Sequence, residues 1–331
     1  MRYRHLGRSG LQVSEIALGS WLTYGNATES SQAEACIDRA YELGVNFFDT
    51  ANAYAGGAAE EVVGKALSKY RRSSYVLSTK VFMRMGPGPN DGGLSRKHII
   101  EQCEASLKRL GHDYVDLYFC HRYDGGTPLE ETLMALNDLV RHGKILYYAV
   151  SEWTGDQIAE ASRITRERGL YPIIANQPQY SMLARGIEQE VIPVCEREGI
   201  GQVTFSSLGQ GVLSGKYKPG QPPPAGSRAA DPSQNQFLNS GVLDAWVHDQ
   251  VRVDDALLER VQNLIPLAEE AGLTMPQLAL AWCLRQQNVA SVIIGASRPQ
   301  QIDDNVEAAG KMLSPELLAK IDDVLGVTTP S

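Results

Sequence analysis

The chain has 331 residues, of which 43% are hydrophobic and 21% charged, with a formal net charge of −8 and 5 cysteines. That is globular composition with enough apolar residues for a large core, and the acidic balance repels polyanions, so neither nucleic acid nor anionic membrane is an expected partner. No run nears the roughly 18 apolar residues of a membrane helix and MRYRHLGRSG lacks the apolar stretch of a signal peptide, so the expectation is no membrane insertion and a cytoplasmic location.

Residues 1 to 15, with the turn-like GRSG, predict a short β-hairpin that plugs one end of the fold. Beyond it, short runs rich in β-branched and aromatic residues alternate with helical patterns. The runs are IALGS (16 to 20), VNFFDT (45 to 50), YVLSTK (75 to 80), YVDLYFCH (114 to 121), LYYAVS (146 to 151), PIIANQ (172 to 177), GQVTFSS (201 to 207) and ASVIIGAS (290 to 297). Such alternation marks βα units around a parallel sheet, and eight units close a barrel. The expected fold class is therefore α/β, a (β/α)8 barrel forming a single domain over 1–331.

Start and stop signals frame the helices. Ser31 with Glu34 reads as a capping box before a helix over 32–43 that Gly44 closes. Thr127, Pro128 and Glu130 open a helix over 128–142 that Gly143 closes, with Leu129, Leu133, Leu136 and Val140 on its buried stripe. A third helix, 155–168, ends at Gly169. The stretch from Gly215 to about Val253, including KPGQPPPAGSR, is too rich in Pro and Gly for regular structure, although part of 235–249 has helical character. A long loop of this kind after the seventh strand is expected to serve as a lid or binding loop.

The cysteines Cys36, Cys103, Cys120, Cys195 and Cys283 are odd in number, widely spaced and form no CxxC. They read as reduced core residues, with neither a disulfide framework nor a metal site expected. Cys120 adjoins a histidine, but its place inside YVDLYFC favours packing. Trp282, on the apolar stripe of LALAWCLR, reads as core. Trp21 and Trp153 follow strand ends and suit a pocket wall as well as packing, and Trp246 stays open.

Barrel enzymes gather reactive groups at the C-terminal strand ends. That rule selects Asp49, Lys80, His121, Ser151 and Gln177. Singly, a strand-end lysine is a solvated charge and a lone histidine a hydrogen-bonded core group. With Tyr54, in the loop ANAYAGG, Asp49, Lys80 and His121 make a coherent acid-base set: reduction of a carbonyl needs a hydride on carbon and a proton on oxygen, and a phenol with pKa near 10 is a reluctant donor. A nearby ammonium is expected to lower that pKa, the aspartate holding the lysine charged and the histidine polarising the carbonyl.

The strings FDTANAY, STK, the histidine after YVDLYFC, QPQYSML, SLGQGVLSGKY, AWCLR and IIGAS resemble the aldo-keto reductase superfamily from about residue 3 to 326. GLSRKHIIE, TPLEET and the loop from SGKY to SRA most resemble the branch of voltage-gated potassium channel β-subunits and their microbial reductase relatives. The resemblance implies the catalytic tetrad Asp49, Tyr54, Lys80 and His121. In the channel subunits the position of His121 is an asparagine, so its presence implies a working reductase of aldehydes or ketones. The runner-up is a redox-sensing regulatory subunit for a membrane partner, and an unrelated barrel enzyme such as a phosphate-handling isomerase stands behind both.

No GxGxxG follows the first strand, so a Rossmann domain is not indicated. The resemblance implies instead NADPH lying across the barrel mouth. Ser151, Gln177 and Asp49, with Ser20 and Trp21, match positions around the nicotinamide. Phe205, Ser206, Ser207, Leu208, Gly209 and Gln210 match the pyrophosphate segment, although Phe205 and Ser207 depart from the branch's tryptophan-serine-proline. Lys216 and Arg228 match the loop folded over the cofactor. Gly295, Ser297, Gln301, Asp304 and Asn305 match the 2′-phosphate and adenine segment, where Arg298 suits the phosphate and favours NADPH over NADH. Arg84 and Arg122, near the predicted mouth, either favour an anionic or phosphorylated aldehyde or stand as exposed charges, and the resemblance admits a homo-tetramer or octamer.

Overall fold

A computed structural model describes residues 1–21, 24–25, 30–231, 242–243 and 251–327. The hairpin is present as β1 (Tyr3–His5) and β2 (Gln12–Ser14), paired antiparallel with Tyr3 opposite Ser14. Eight parallel strands then close into a barrel: β3 (Ile16–Gly19), β4 (Phe47–Asp49), β5 (Val76–Val81), β6 (Val115–Cys120), β7 (Ile145–Ser151), β8 (Ala175–Gln177), β9 (Gly201–Thr204) and, after a small ribbon of β10 (Val242–Leu243) and β11 (Val251–Arg252), β12 (Val289–Ile294). β12 closes the ring by pairing with β9 on one side and β3 on the other. Each of the eight apolar runs in the sequence overlaps one of these strands, with β5, β7 and β12 reaching one residue beyond the run.

Helices α1 (Ser30–Glu42), α2 (Ala58–Leu67), α3 (Arg96–Leu110), α4 (Leu129–Arg141), α5 (Gly155–Arg168) and α6 (Val191–Glu198) follow β3 to β8 in turn. Between β9 and β12 lie α7 (Asp255–Glu270) and α8 (Met275–Leu284), and after β12 come α9 (Pro299–Val306) and α10 (Pro315–Leu325). No described helix is long and apolar enough to cross a membrane.

The two-residue period of a strand decides what each side chain meets. Phe47, Val76, Leu117, Phe119, Ala149, Ala175 and Val203 point inward and pack together. Alternate residues such as Phe48, Leu77, Tyr118, Tyr148 and Val150 face outward into the layer beneath the helices. Leu6 and Val13 of the hairpin join the inner cluster, which closes the end of the barrel where the strands begin. The same period puts Asp49, His121, Ser151 and Gln177 two residues beyond Phe47, Phe119, Ala149 and Ala175, so polar groups crown the apolar filling at the opposite end.

The glycine stops hold: Gly44, Gly143 and Gly169 have φ of 84, 68 and 62°, the left-handed conformation that ends a helix. Two expected capping boxes do not form. α1 begins two residues early at Ser30, which leaves Ser31 inside the first turn and Glu34 accepting from Lys65 Nζ at 2.7 Å. At α4 Pro128 occupies the cap position, and the Thr127 hydroxyl donates to Asp124 instead, at 2.8 Å. Boxes do form at Thr154 with Gln157 and at Thr274 with Gln277.

All five cysteines are free and buried, and burial pushes the Cys120 thiol up, in keeping with a packing role. Trp282 is fully buried, with the Arg285 guanidinium 3.5 Å from its ring centroid. Trp246 and most of 235–249 lie outside the described residues.

α2 and α3 approach closely at one point. A Cβ on Gly64 would stand 2.1 Å from the carbonyl oxygen of Leu110, a backbone atom that cannot swing aside. Gly64→Ala is therefore expected to destabilise the protein by about 3 kcal/mol, the upper part of the usual overpacking range. Urea unfolding would read this, and a loss below about 0.5 kcal/mol, the scatter of surface substitutions, would contradict the close packing.

Candidate active site

A lysine ammonium that loses all contact with water needs full compensation. Lys80 is such a group, 0% exposed at the end of β5. Its Nζ donates to Asp49 at 2.5 Å and to the carbonyl oxygen of Thr50 at 2.7 Å. Asp49 is compensated in turn, accepting from Ser78 Oγ at 2.6 Å and from Gln177 Nε2 at 3.1 Å. Asp49, Ser78, Lys80 and Gln177, on β4, β5 and β8, thus form one bonded cluster.

Tyr54 reaches this cluster from the loop after β4. The Lys80 Nζ lies 5.0 Å from the centroid of its ring. The His121 ring stands edge-on to the same ring, with centroids 5.7 Å apart and planes at 76°. Trp21 lies on another side at 6.5 Å. The structure therefore brings Asp49, Tyr54, Lys80 and His121 together around one phenol.

The protonation states differ in one respect from the sequence expectation. Burial raises the Tyr54 pKa more than the Lys80 ammonium lowers it, so the net displacement is upward. The phenol therefore rests as the neutral, proton-bearing form, and the ammonium acts on the phenolate only as that develops. Burial works against the Lys80 charge, but Asp49 and Tyr54 together hold its pKa above the ordinary value. Burial, then Lys80 and Arg122, hold His121 well below the usual imidazole range, so it is neutral at pH 7. Its buried Nδ1 has no hydrogen-bond partner.

Around this centre, Ser151 Oγ donates to the backbone oxygen of Gln177 at 2.8 Å, and Ser20 Oγ donates to Thr50 Oγ1 at 2.8 Å. With Nε2 committed to Asp49, the remaining side-chain function of Gln177 is its carbonyl oxygen, an acceptor suited to an amide N–H. After β9 the backbone turns sharply: Ser206, Gly209, Gln210 and Gly211 all have positive φ, between 53 and 95°. These left-handed residues shape a tight cradle, closed by the N–H groups of Gly209 and Gly211 on the carbonyls of Ser206 and Leu208 at 2.7 and 2.9 Å. A Cβ on Gly211 would stand 3.2 Å from Lys216 Nζ, so the cation borders that cradle. The Arg228 guanidinium carbon lies 5.2 Å from the Trp21 ring centroid, which brings the loop after β9 to the barrel mouth. The set fits an amide next to a diphosphate.

Phe205 bridges to Gln179, Ser207 shares a hydroxyl contact with Thr204 at 3.2 Å, and Leu208 precedes the cradle. The segment after β12 is more open. Gly295, Ser297, Arg298 and Asp304 are exposed while Asn305 is buried. Gln301 Oε1 accepts from the backbone of Ser297 at 2.8 Å and of Arg298 at 3.3 Å, bracing the start of α9. Arg122 is half-buried beside His121, its Nη1 on the His121 carbonyl oxygen at 2.6 Å. Arg84 does not join it: its guanidinium donates to the carbonyls of Pro87 and Gly88 in its own loop. Trp153 is buried and meets Tyr123 edge-on at 5.0 Å.

Two participants escaped the sequence reading. Ser78 lies two residues before Lys80 on β5, so strand period alone places it on the lysine's face. The Thr50 carbonyl had no sequence signal, because any residue supplies one. A cleft lined by His112 and Lys144 and another lined by Tyr147 and Tyr171 lie elsewhere, and neither gathers a comparable set.

The aldo/keto reductase family model matches residues 15–325. A probable voltage-gated potassium channel subunit beta of Arabidopsis thaliana is 44% identical over 330 residues, covering 98% of this chain and 97% of its own length. A protein of the same description from Oryza sativa subsp. japonica is 43% identical, with 98 and 97% covered. A putative voltage-gated potassium channel subunit beta of Schizosaccharomyces pombe is 42% identical over 333 residues, covering 98% of this chain and 94% of its own length.

The depressed imidazole carries a pH consequence. His121, together with His98 and His112, which burial also holds low, refuses protons in the folded state that the unfolded chain accepts below about pH 6.5. The unfolded state then binds more protons, so stability is full above that pH and falls as the pH drops below it. Urea unfolding at several pH values should show the fall, and it should be shallower in His121→Gln. Equal slopes would remove His121 from the account.

Proposed function

Because the chain belongs to the aldo/keto reductase family, we propose that it is an NADPH-dependent reductase converting an aldehyde or ketone to the alcohol, with Tyr54 as proton donor. The observation that carries this reading is the fully buried Lys80 ammonium, bonded to Asp49 and set against the Tyr54 phenol. NADPH, when bound, supplies the hydride that reduces the carbonyl carbon. Ser151 and Gln177 would hold its amide, with Ser20, Trp21 and Asp49 around the ring. Residues 205–210 with Lys216 and Arg228 would hold the diphosphate, and Gly295, Ser297, Gln301, Asp304 and Asn305 the adenosine end.

The chain's own part is a proton transfer. The neutral His121 imidazole orients the carbonyl oxygen toward the Tyr54 hydroxyl. Tyr54 gives its proton to that oxygen as charge builds there. Lys80 stabilises the phenolate left behind, and Asp49 keeps the lysine charged and in place. The half-buried Arg122 favours a substrate that carries an anionic group.

The likeness to potassium channel β-subunits supports a second reading, a cofactor-binding regulatory subunit with little turnover. Stopped-flow oxidation of bound NADPH by 4-nitrobenzaldehyde separates the two, fast multiple turnover supporting the reductase and its absence the subunit.

Two substitutions test the assignments. Tyr54→Phe should lower kcat by about 10² to 10⁴, the usual contribution of a positioned acid, with NADPH affinity nearly intact by fluorescence titration; loss of cofactor binding would contradict the donor role. Arg298→Ala should weaken NADPH about tenfold, the scale of one charge-assisted hydrogen bond, and leave NADH unchanged; equal effects on both would remove Arg298 from the 2′-phosphate.

A further inference from the structure

The turn that carries Tyr54 does not hold its own shape. Ala55, Gly56 and Gly57, the three residues after it, have φ of 50, 62 and 102°, a left-handed run that an alanine adopts reluctantly. Something outside the turn must hold it, and α3 does so at two points. Asn52 Nδ2 donates to Gln102 Oε1 at 3.0 Å. Arg109 Nε donates to Glu60 Oε2 at 2.6 Å, and its side chain lies so close under Gly57 that a Cβ there would stand 2.7 Å from Arg109 Cδ. Gln102 and Arg109 are seven residues apart, two helical turns, and so share one face of α3.

The other oxygen of Glu60 accepts from Thr79 Oγ1 at 2.5 Å. Thr79 directly precedes Lys80 on β5, and the pleat turns the two side chains to opposite faces: Lys80 toward the barrel mouth, Thr79 toward the layer beneath α2 and α3. Glu60 is 0% and Thr79 1% exposed, so this carboxylate is a committed buried charge rather than a surface ornament. A hydrogen-bonded path thus runs from the strand that holds the ammonium to the helix that holds the phenol's loop.

We infer that Thr79, Glu60 and Arg109 form a positioning chain that sets the distance between the Tyr54 phenol and the Lys80 ammonium from outside the barrel. None of the three touches the reacting atoms; they act through Tyr54, so the inference rests on its role as proton donor. Loosening the chain lets the Tyr54 turn relax away from Lys80, which weakens the ammonium's hold on the developing phenolate and leaves cofactor contacts untouched.

Thr79→Val tests this with little risk to the fold, since it removes one hydroxyl, keeps the side-chain shape and leaves the Glu60–Arg109 pair in place. The kcat for aldehyde reduction should fall about tenfold, within the range for a small misplacement of a reacting group. The KM and NADPH affinity should stay within about twofold, the split expected of an interaction made in the transition state alone. The Tyr54 phenol should titrate higher than in the parent, followed without cofactor by carbon NMR of tyrosine-labelled protein, its signal assigned by loss in Tyr54→Phe. Thr79→Ser, which retains the hydroxyl, should restore both readouts, and adding Thr79→Val to Tyr54→Phe should lower the residual rate no further. An unmoved Tyr54 titration, or a kcat loss repeated in full in the Tyr54→Phe background, would overturn the inference. A parent protein that turns over no carbonyl would overturn the proposed reductase instead, while the Tyr54 titration would still judge the positioning chain.

Discussion

A lysine ammonium with no exposure to solvent governs the architecture of the barrel mouth. Desolvating such an ion costs several kcal/mol, and only close, well-satisfied partners offset it. Lys80 has Asp49 and the Thr50 carbonyl, and Asp49 has Ser78 and Gln177, so three barrel-strand positions and one backbone oxygen compensate a single ammonium. This compensation fixes the relative placement of β4, β5 and β8 at their C-terminal ends. It also leaves one direction in which the ammonium meets a group that is neutral at rest, the Tyr54 phenol. The arrangement stores an interaction that reaches full strength only when negative charge appears on that oxygen, and such preorganised electrostatics is where enzymes gain most.

The two ends of the barrel divide the work. At one end Leu6 and Val13 of the hairpin complete an apolar filling, and Glu15 ties the closure together, accepting from Arg4 at 2.7 Å and from the Gly310 backbone at 2.7 Å. At the other end the inward positions turn polar within one strand period. The filling below keeps water from reaching Lys80 from beneath, so the low-dielectric surroundings that raise the Tyr54 pKa and depress that of His121 follow from packing at a distance. Stability and electrostatics are here one design: the same strands that bury Phe47, Phe119 and Ala175 present Asp49, His121 and Gln177.

The identity with the plant and fission-yeast relatives extends over nearly the whole of each chain, so the likeness covers the barrel, its hairpin and the loop after β9 rather than a shared catalytic core alone. A fold that holds a cofactor serves carbonyl reduction and redox sensing equally well, and the difference lies in how readily the bound state turns over. The proposed reductase draws on the neutral His121 beside Tyr54, because an imidazole there can orient a carbonyl in the line of proton transfer.

Much of this was legible in the residues themselves. Alternation of period two and three-to-four spacing specified eight βα units, and strand period specified which residues would crown the barrel, because side-chain direction in a strand is a local property. Glycine stops were equally local: Gly44, Gly143 and Gly169 adopt the left-handed conformation that their lack of a side chain permits. The proposed capping boxes at Ser31 and Thr127 failed because a cap depends on where the chain arrives, and α1 starts two residues early while Pro128 takes the cap position of α4. Arg84 turned into its own loop, where the carbonyls of Pro87 and Gly88 take its guanidinium. Above all, the balance on Tyr54 belongs to the tertiary structure. The sequence by itself determined that a phenol and an ammonium would share the mouth of a barrel, whereas only the assembled fold decided that burial outweighs the ammonium and that α3 holds the phenol's turn, because desolvation and long-range struts exist only once distant segments are packed together.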